Sequence, residues 1–224
     1  MSDTRNMTRV GRDGHDDLVE DLTGRLAPVR RLPAPWLRAS SWLGAALAVG
    51  LVLMPLADLD GLRVRMAVPD LGLAALGALL TALTAAVAAF HTSVPGRNPA
   101  WALLPLGPAV VWIGASGVGC LRSWTVTGIE VADAYEMGGC LVFLLCASAP
   151  LSLALVLMLR RACPLRPNLT AALGGLAAAA AAAVLLIPFH PHDATLTDLA
   201  IHLVVVGAVI CANTLAGGRL LAER

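Results

Sequence analysis

The sequence predicts an all-α fold: an integral membrane bundle of six transmembrane helices behind a short cytoplasmic N-terminal segment. Three observations carry this. Of 224 residues 58% are hydrophobic and 14% charged, with a mean hydropathy of +0.76, which is outside the range of ordinary soluble domains. The apolar residues gather into six stretches, each near the ~20 residues a helix needs to cross a bilayer. The arginines are distributed unevenly between the two sets of connections. A formal net charge of +1 gives no global field that would favour nucleic acid or an acidic partner. All 16 basic residues are Arg, a compositional bias to which no mechanism is attached.

Residues 1–37 form the first unit. No cleavable signal peptide is expected, because the first apolar stretch starts only near Leu37, after a long charged segment. Residues 1–15 offer almost no apolar side chains to offset the entropy of ordering and are expected to be disordered. From Asp16 the pattern changes. Leu18, Leu22 and Leu26 recur every four residues, acidic residues gather at the start, and Arg25, Arg30 and Arg31 gather at the end. That order suits the helix dipole and predicts a short amphipathic helix over roughly 16–27. Pro28, Pro33 and Pro35 then stop it and give a stiff, extended approach to the membrane.

The transmembrane unit, 38–217, has expected spans over about 38–57, 69–90, 101–118, 140–159, 169–188 and 194–216, leaving a tail over 218–224. Trp36 and Trp42 read as interfacial anchors of the first span. The second carries Ala74, Ala78, Ala82 and Ala86 at four-residue spacing, a small-residue stripe that admits a neighbouring helix. The third contains Pro105 and Pro108, tolerable where neighbours satisfy the freed carbonyls. The fifth, with Gly174, Gly175 and unbroken alanine from Ala177 to Ala183, reads as a packed interior helix. Thirteen of the 16 arginines fall in the N-terminal segment counted through Arg38, the 91–100 and 160–167 connections and the tail; Arg63, Arg65 and Arg122 lie on the other side. By the positive-inside rule both termini are cytoplasmic, in a bacterial inner membrane.

Two Gly-Cys-Leu tripeptides, at Cys120 and Cys140, bracket a polar connection that holds Arg122, Glu130, Asp133 and Glu136. The acidic residues there read as a solvated face. The topology puts both thiols on the extracytoplasmic side, together with His190, His192 and Asp193 in the connection before the sixth span. The residues leave two readings of the thiol pair open. One is a structural disulfide closing a loop of about 20 residues, worth roughly 3 kcal/mol. The other is a sensor, in which oxidation or a soft metal ion moves two helices.

Cys146 and Cys211 read as small buried hydrophobes. Cys163, in the cytoplasmic Arg-rich connection, cannot pair across the bilayer. Asp193 can cap the sixth helix, and Asp198 and His202, four residues apart, share one of its faces. His190, His192, Asp193 and His202 could hold a metal, with or without cysteine ligands. The favoured alternative is an interhelical hydrogen-bond network, which needs no cofactor. No Walker A run, Gly-x-Ser-x-Gly, dinucleotide fingerprint or His-Glu-x-x-His occurs, so no enzyme is expected. A thiol oxidoreductase would want a Cys-x-x-Cys, which is absent. A transporter would use broken helices and midplane polar residues, for which Pro105, Pro108 and the Asp198/His202 pair are the hints.

Several stretches together carry a resemblance: Leu26-Ala27-Pro28-Val29-Arg30-Arg31-Leu32-Pro33, Val94-Pro95-Gly96-Arg97, the two Gly-Cys-Leu motifs, Pro164-Leu165-Arg166-Pro167, and Phe189-His190-Pro191-His192-Asp193 with His202. In these the chain resembles the negative regulator of sigma-F family of six-span inner-membrane anti-sigma factors, from about residue 16 onward. The resemblance implies that the protein sequesters an extracytoplasmic-function sigma factor and releases it under oxidative or heavy-metal stress. It implies that Cys120 and Cys140 are the responding cysteines. The N-terminal segment would supply the sigma-factor contacts, with Leu18, Leu22, Leu26, Arg30 and Arg31 laid against a helix of the partner and no direct contact to nucleic acid. Residues 1–15 are a longer polar start than the family's.

Overall fold

The computed structural model describes residues 15–25, 32–127, 134–189 and 196–222. The expected disorder of the chain start, the contacts assigned to Leu26, Arg30 and Arg31, the acidic Glu130 and Asp133, and the cluster His190, His192 and Asp193 lie outside the described residues. The chain divides into two units, one ending at Leu32 and the other beginning at Pro33.

In the first unit, helix α1 occupies residues 15–24, and the end expected near 27 lies outside the described residues. Arg25 closes it with an ion pair to Asp21 at 2.9 Å, one turn back. Leu18, Val19 and Leu22 are all more than half exposed, so the helix has an apolar stripe without cover.

The second unit is all helical among the described residues. Helix α2 spans Pro35–Leu53, α3 Leu59–Met66, α4 Pro69–Thr92, α5 Leu106–Thr127, α6 Ala134–Leu159, α7 Pro167–Leu186, α8 Leu196–Ala212 and α9 Gly218–Ala222. Among the described residues six stretches are long and apolar enough to cross a membrane: Pro35–Leu56, Pro69–Thr92, Pro99–Thr125, Gly138–Leu159, Pro167–Phe189 and Leu199–Leu221. Proline opens α2, α4 and α7, where its missing N–H is one of the helix's orphan donors and its fixed φ favours the first turn. The same logic accommodates the prolines of the third span. Pro105 lies just before α5 and Pro108 in its first turn, so neither interrupts the helix.

Helix α7 is the centre. Its alanines from Ala177 to Ala183 are all buried, as are Gly174 and Gly175. It packs on α4, α6 and α8; α2 lies in the groove between α4 and α6, and α5 in the groove between α4 and α8. On α4 the buried face is Gly77, Ala78, Thr81, Ala82, Ala85, Ala86, Ala88 and Ala89, wider than the four-residue alanine stripe. Small side chains let these backbones approach, which is how helices gain packing energy in lipid. Gly77 shows the limit. A Cβ there would lie 2.6 Å from the backbone nitrogen of Trp112 on α5.

Three expectations change. Helix α5 continues to Thr127 and α6 starts at Ala134, so both Gly-Cys-Leu tripeptides are inside helices and not at the borders of a long connection. Arg122, Ser123 and Thr125 are polar, but an α-helix closes its own hydrogen bonds and need not end where hydropathy falls. Trp42 is 1% exposed and is no interfacial anchor; its indole Nε1 donates to the Leu151 carbonyl at 3.0 Å. Cys146 and Cys211 are exposed on the bundle's outside, where a lipid environment suits a thiol as well as the interior does.

Candidate functional site

Cys120 is buried near the C-terminal end of α5, and Cys140 is half-buried in the first turns of α6; both thiols are free. Helices α5 and α6 make little direct contact and both pack on α8. Chemistry that joins the two sulfurs therefore joins two helices that the fold holds separately.

Each cysteine has its own support. Next to Cys120, Gly119 is buried, and a Cβ on it would lie 2.7 Å from Asp70 Oδ2. The glycine admits Asp70, which sits in the first turn of α4, where the helix dipole favours a carboxylate. Arg122 closes the arrangement. Its Nε donates to Asp70 Oδ2 at 3.2 Å, and its Nη2 also lies 3.2 Å from that oxygen. Asp70 is 11% and Arg122 40% exposed, so the pair straddles the bundle's edge and ties α4 to α5 beside Cys120. Sequence reading assigned Arg122 to a solvated loop and overlooked Asp70. The available signal was that Arg122 follows Cys120 by two residues and Asp70 opens an apolar helix.

Cys140 packs against a cluster of Leu144, Ala179, Ala182, Ala183, Leu186, Val205 and Val209. One turn further along α6, the Phe143 ring meets Phe189 with centroids 5.4 Å apart. Phe189 is thereby held beside the α6 face that carries Cys140. His202 is half-buried on α8; Asp198 lies in the first turn of that helix. Among the described residues no three His, Cys, Asp or Glu side chains gather into a metal site.

A second group of polar contacts sits at the other end of α6. Arg38 of α2 is 6% exposed; its guanidinium donates to the Met158 carbonyl in the last turn of α6 and, at 3.5 Å, to Ser93 Oγ. It also lies 4.9 Å from the centre of the Phe90 ring. No carboxylate pairs with it among the described residues. The negative end of the α6 dipole and the aromatic face take that place. With Trp42 on Leu151, α2 is fastened to α6 at two carbonyls, seven residues apart on one helix face. Pro150, immediately before Leu151, interrupts the α6 hydrogen-bond ladder between this fastening and Cys140. Nothing in the sequence reading anticipated the fastening.

A model of the family described as negative regulator of sigma F matches residues 22–222. No curated protein and no solved structure matches the chain.

Proposed function

Because the chain belongs to the negative regulator of sigma F family, we propose that it is a membrane-held anti-sigma factor that binds an extracytoplasmic-function sigma factor at the cytoplasmic face of a bacterial inner membrane. The exposed Leu18, Val19 and Leu22 are a surface an amphipathic partner helix can cover, and Leu26, Arg30 and Arg31 follow them in the sequence as further contacts. Release follows chemistry at Cys120 and Cys140 on the opposite face. Oxidation of the two thiols to a disulfide gives up two protons and passes two electrons to the oxidant; a soft metal ion held by both thiolates would draw the same helices together without electron transfer.

The observation that carries this reading is the fastening of α2 to α6 through Arg38 and Trp42. A displacement of α6 at Cys140 is passed to α2, the helix that the N-terminal segment runs into. To take a partner from roughly 1% to roughly 99% free, the two states must differ by about 5.5 kcal/mol in their affinity for the signal. The roughly 3 kcal/mol that a disulfide contributes by loop closure is about half of that.

The test is sigma-factor capture by membranes holding the wild type or Cys120→Ser/Cys140→Ser, with and without oxidant or cadmium. Both proteins are expected to capture one extracytoplasmic-function sigma factor, and only the wild type to let it go. Capture of none removes the anti-sigma role. Equal release from both proteins removes the cysteines from the mechanism.

A further inference from the structure

A cavity of about 280 Å³ lies between α4, α5, α7 and α8, with α3 at one end. Its wall is almost wholly apolar, formed by residues such as Ala74, Ala78, Ile113, Leu176 and Ile210. The polar side chains that line it are Ser116, His202 and, at the end under α3, Arg65, the one permanently charged group among them. Arg65 is 13% exposed; its Nη1 lies 3.9 Å from Asp58 Oδ2, at the limit of an ion pair, and Asp58 is itself 64% exposed. The other terminal nitrogen, Nη2, is buried and has no hydrogen-bond partner among the described residues. Leaving a guanidinium N–H buried and unpaired costs more than leaving a neutral donor so.

The dimensions are informative. Along α7 the lining runs from Leu176 to Leu186, and along α8 from Leu199 to Ile210. At 1.5 Å per residue both stretches are about 15 Å long. That is half the ~30 Å hydrocarbon core of a bilayer, one leaflet deep. The charged end belongs to α3, the short helix that connects two spans and so sits where headgroups are.

We infer that this cavity binds one acyl chain of an anionic amphiphile, with the acidic head on Arg65 Nη2 and the chain running between α5 and α8. The head could be the carboxylate of a free fatty acid or the phosphate of an anionic leaflet lipid; the shared chemistry is one acid group on a long alkyl chain. A charge-assisted bond to the head satisfies the unpaired nitrogen, and burial of the chain fills the gap. Simple solvation of Arg65 by Asp58 accounts for Nη1 alone and leaves both Nη2 and the length of the cavity without a role. The inference is independent of the sigma-factor reading.

The experiment is a titration of the full chain in maltoside detergent with dansyl-undecanoic acid, read by energy transfer from tryptophan, since Trp112 lines the cavity. Saturable binding is expected, weakened about tenfold or more in Arg65→Gln by loss of a charged hydrogen bond, and abolished in Ala74→Phe, which fills the wall. Asp58→Asn keeps Arg65 and removes its competing carboxylate, so binding should tighten; this variant decides the matter if Arg65→Gln fails to fold. Displacement by palmitate but not by dioleoyl-phosphatidylglycerol assigns the free acid, and displacement by the phospholipid assigns the leaflet. Absence of saturable binding overturns the inference, as does wild-type affinity in Arg65→Gln and Ala74→Phe, or weaker binding in Asp58→Asn.

Discussion

Helices α7 and α5 are apolar and similar in length, yet they sit at opposite extremes of packing. In α7 the whole run from Ala177 to Ala183 is buried. In α5, Leu106, Val110, Ile113, Val118 and Leu121 are each about half exposed or more. Both helices are rich in glycine, and the contrast lies in what each glycine meets. On α7, a Cβ at Gly175 would lie 3.0 Å from the Cα of Ile210; on α5, Gly107, Gly114 and Gly117 face open space. The small residues of α4 and α7 are contact surfaces, whereas α5 is held closely on its α4 side, at Trp112 and Gly119, and its other glycines lie on a side that meets nothing.

The sharpest way to break that comparison is to give both kinds of glycine the same methyl group. Gly77→Ala is expected to lose about 1–3 kcal/mol, because the Trp112 backbone cannot move aside, read as a lower unfolding midpoint in detergent. An unchanged midpoint would show that α4 and α5 are not held as closely as described. Gly114→Ala should do the opposite and gain about 0.5–1 kcal/mol from helix propensity alone. A loss there would mean that this side of α5 is packed as well. Smaller still is Asp70→Asn. With Arg122 40% exposed and screened, its stability cost should stay below about 1 kcal/mol. Its clearer readout is faster alkylation of Cys120, since the α4–α5 tie beside that thiol is loosened. Alkylation at the wild-type rate would deny the ion pair its positioning role.

What the sequence shows and what it hides divides along physical lines. Six spans and the interior place of the alanine-rich helix are legible because hydropathy and side-chain size act locally. The ends of α5 and α6 around the cysteines are not, because a helix can continue through polar residues once its hydrogen bonds are internal. Trp42 was misjudged for a related reason. An indole suits a membrane interface, but it suits equally a buried site with a carbonyl to accept its N–H. Asp70 and Arg122 are 52 residues apart, and Arg38 and Met158 are 120 apart. Partners at such separations leave no periodic trace in one sequence. Burial preferences drawn from water-soluble interiors also misplace Cys146 and Cys211, since the outside of this bundle is apolar too.

In the proposed mechanism the Arg38 link carries a change at the cysteine end of α6 to the start of the chain. It is tested most directly by Arg38→Met, a substitution of similar length that cannot donate to the Met158 carbonyl. Sigma-factor release and the redox state of Cys120 and Cys140 should be read in the same oxidant-treated membranes. The expected result is capture of the sigma factor as by the wild type, oxidation of the two thiols as in the wild type, and retention of the partner in spite of it. Release at the wild-type rate from Arg38→Met would contradict the link and require another route between the two faces.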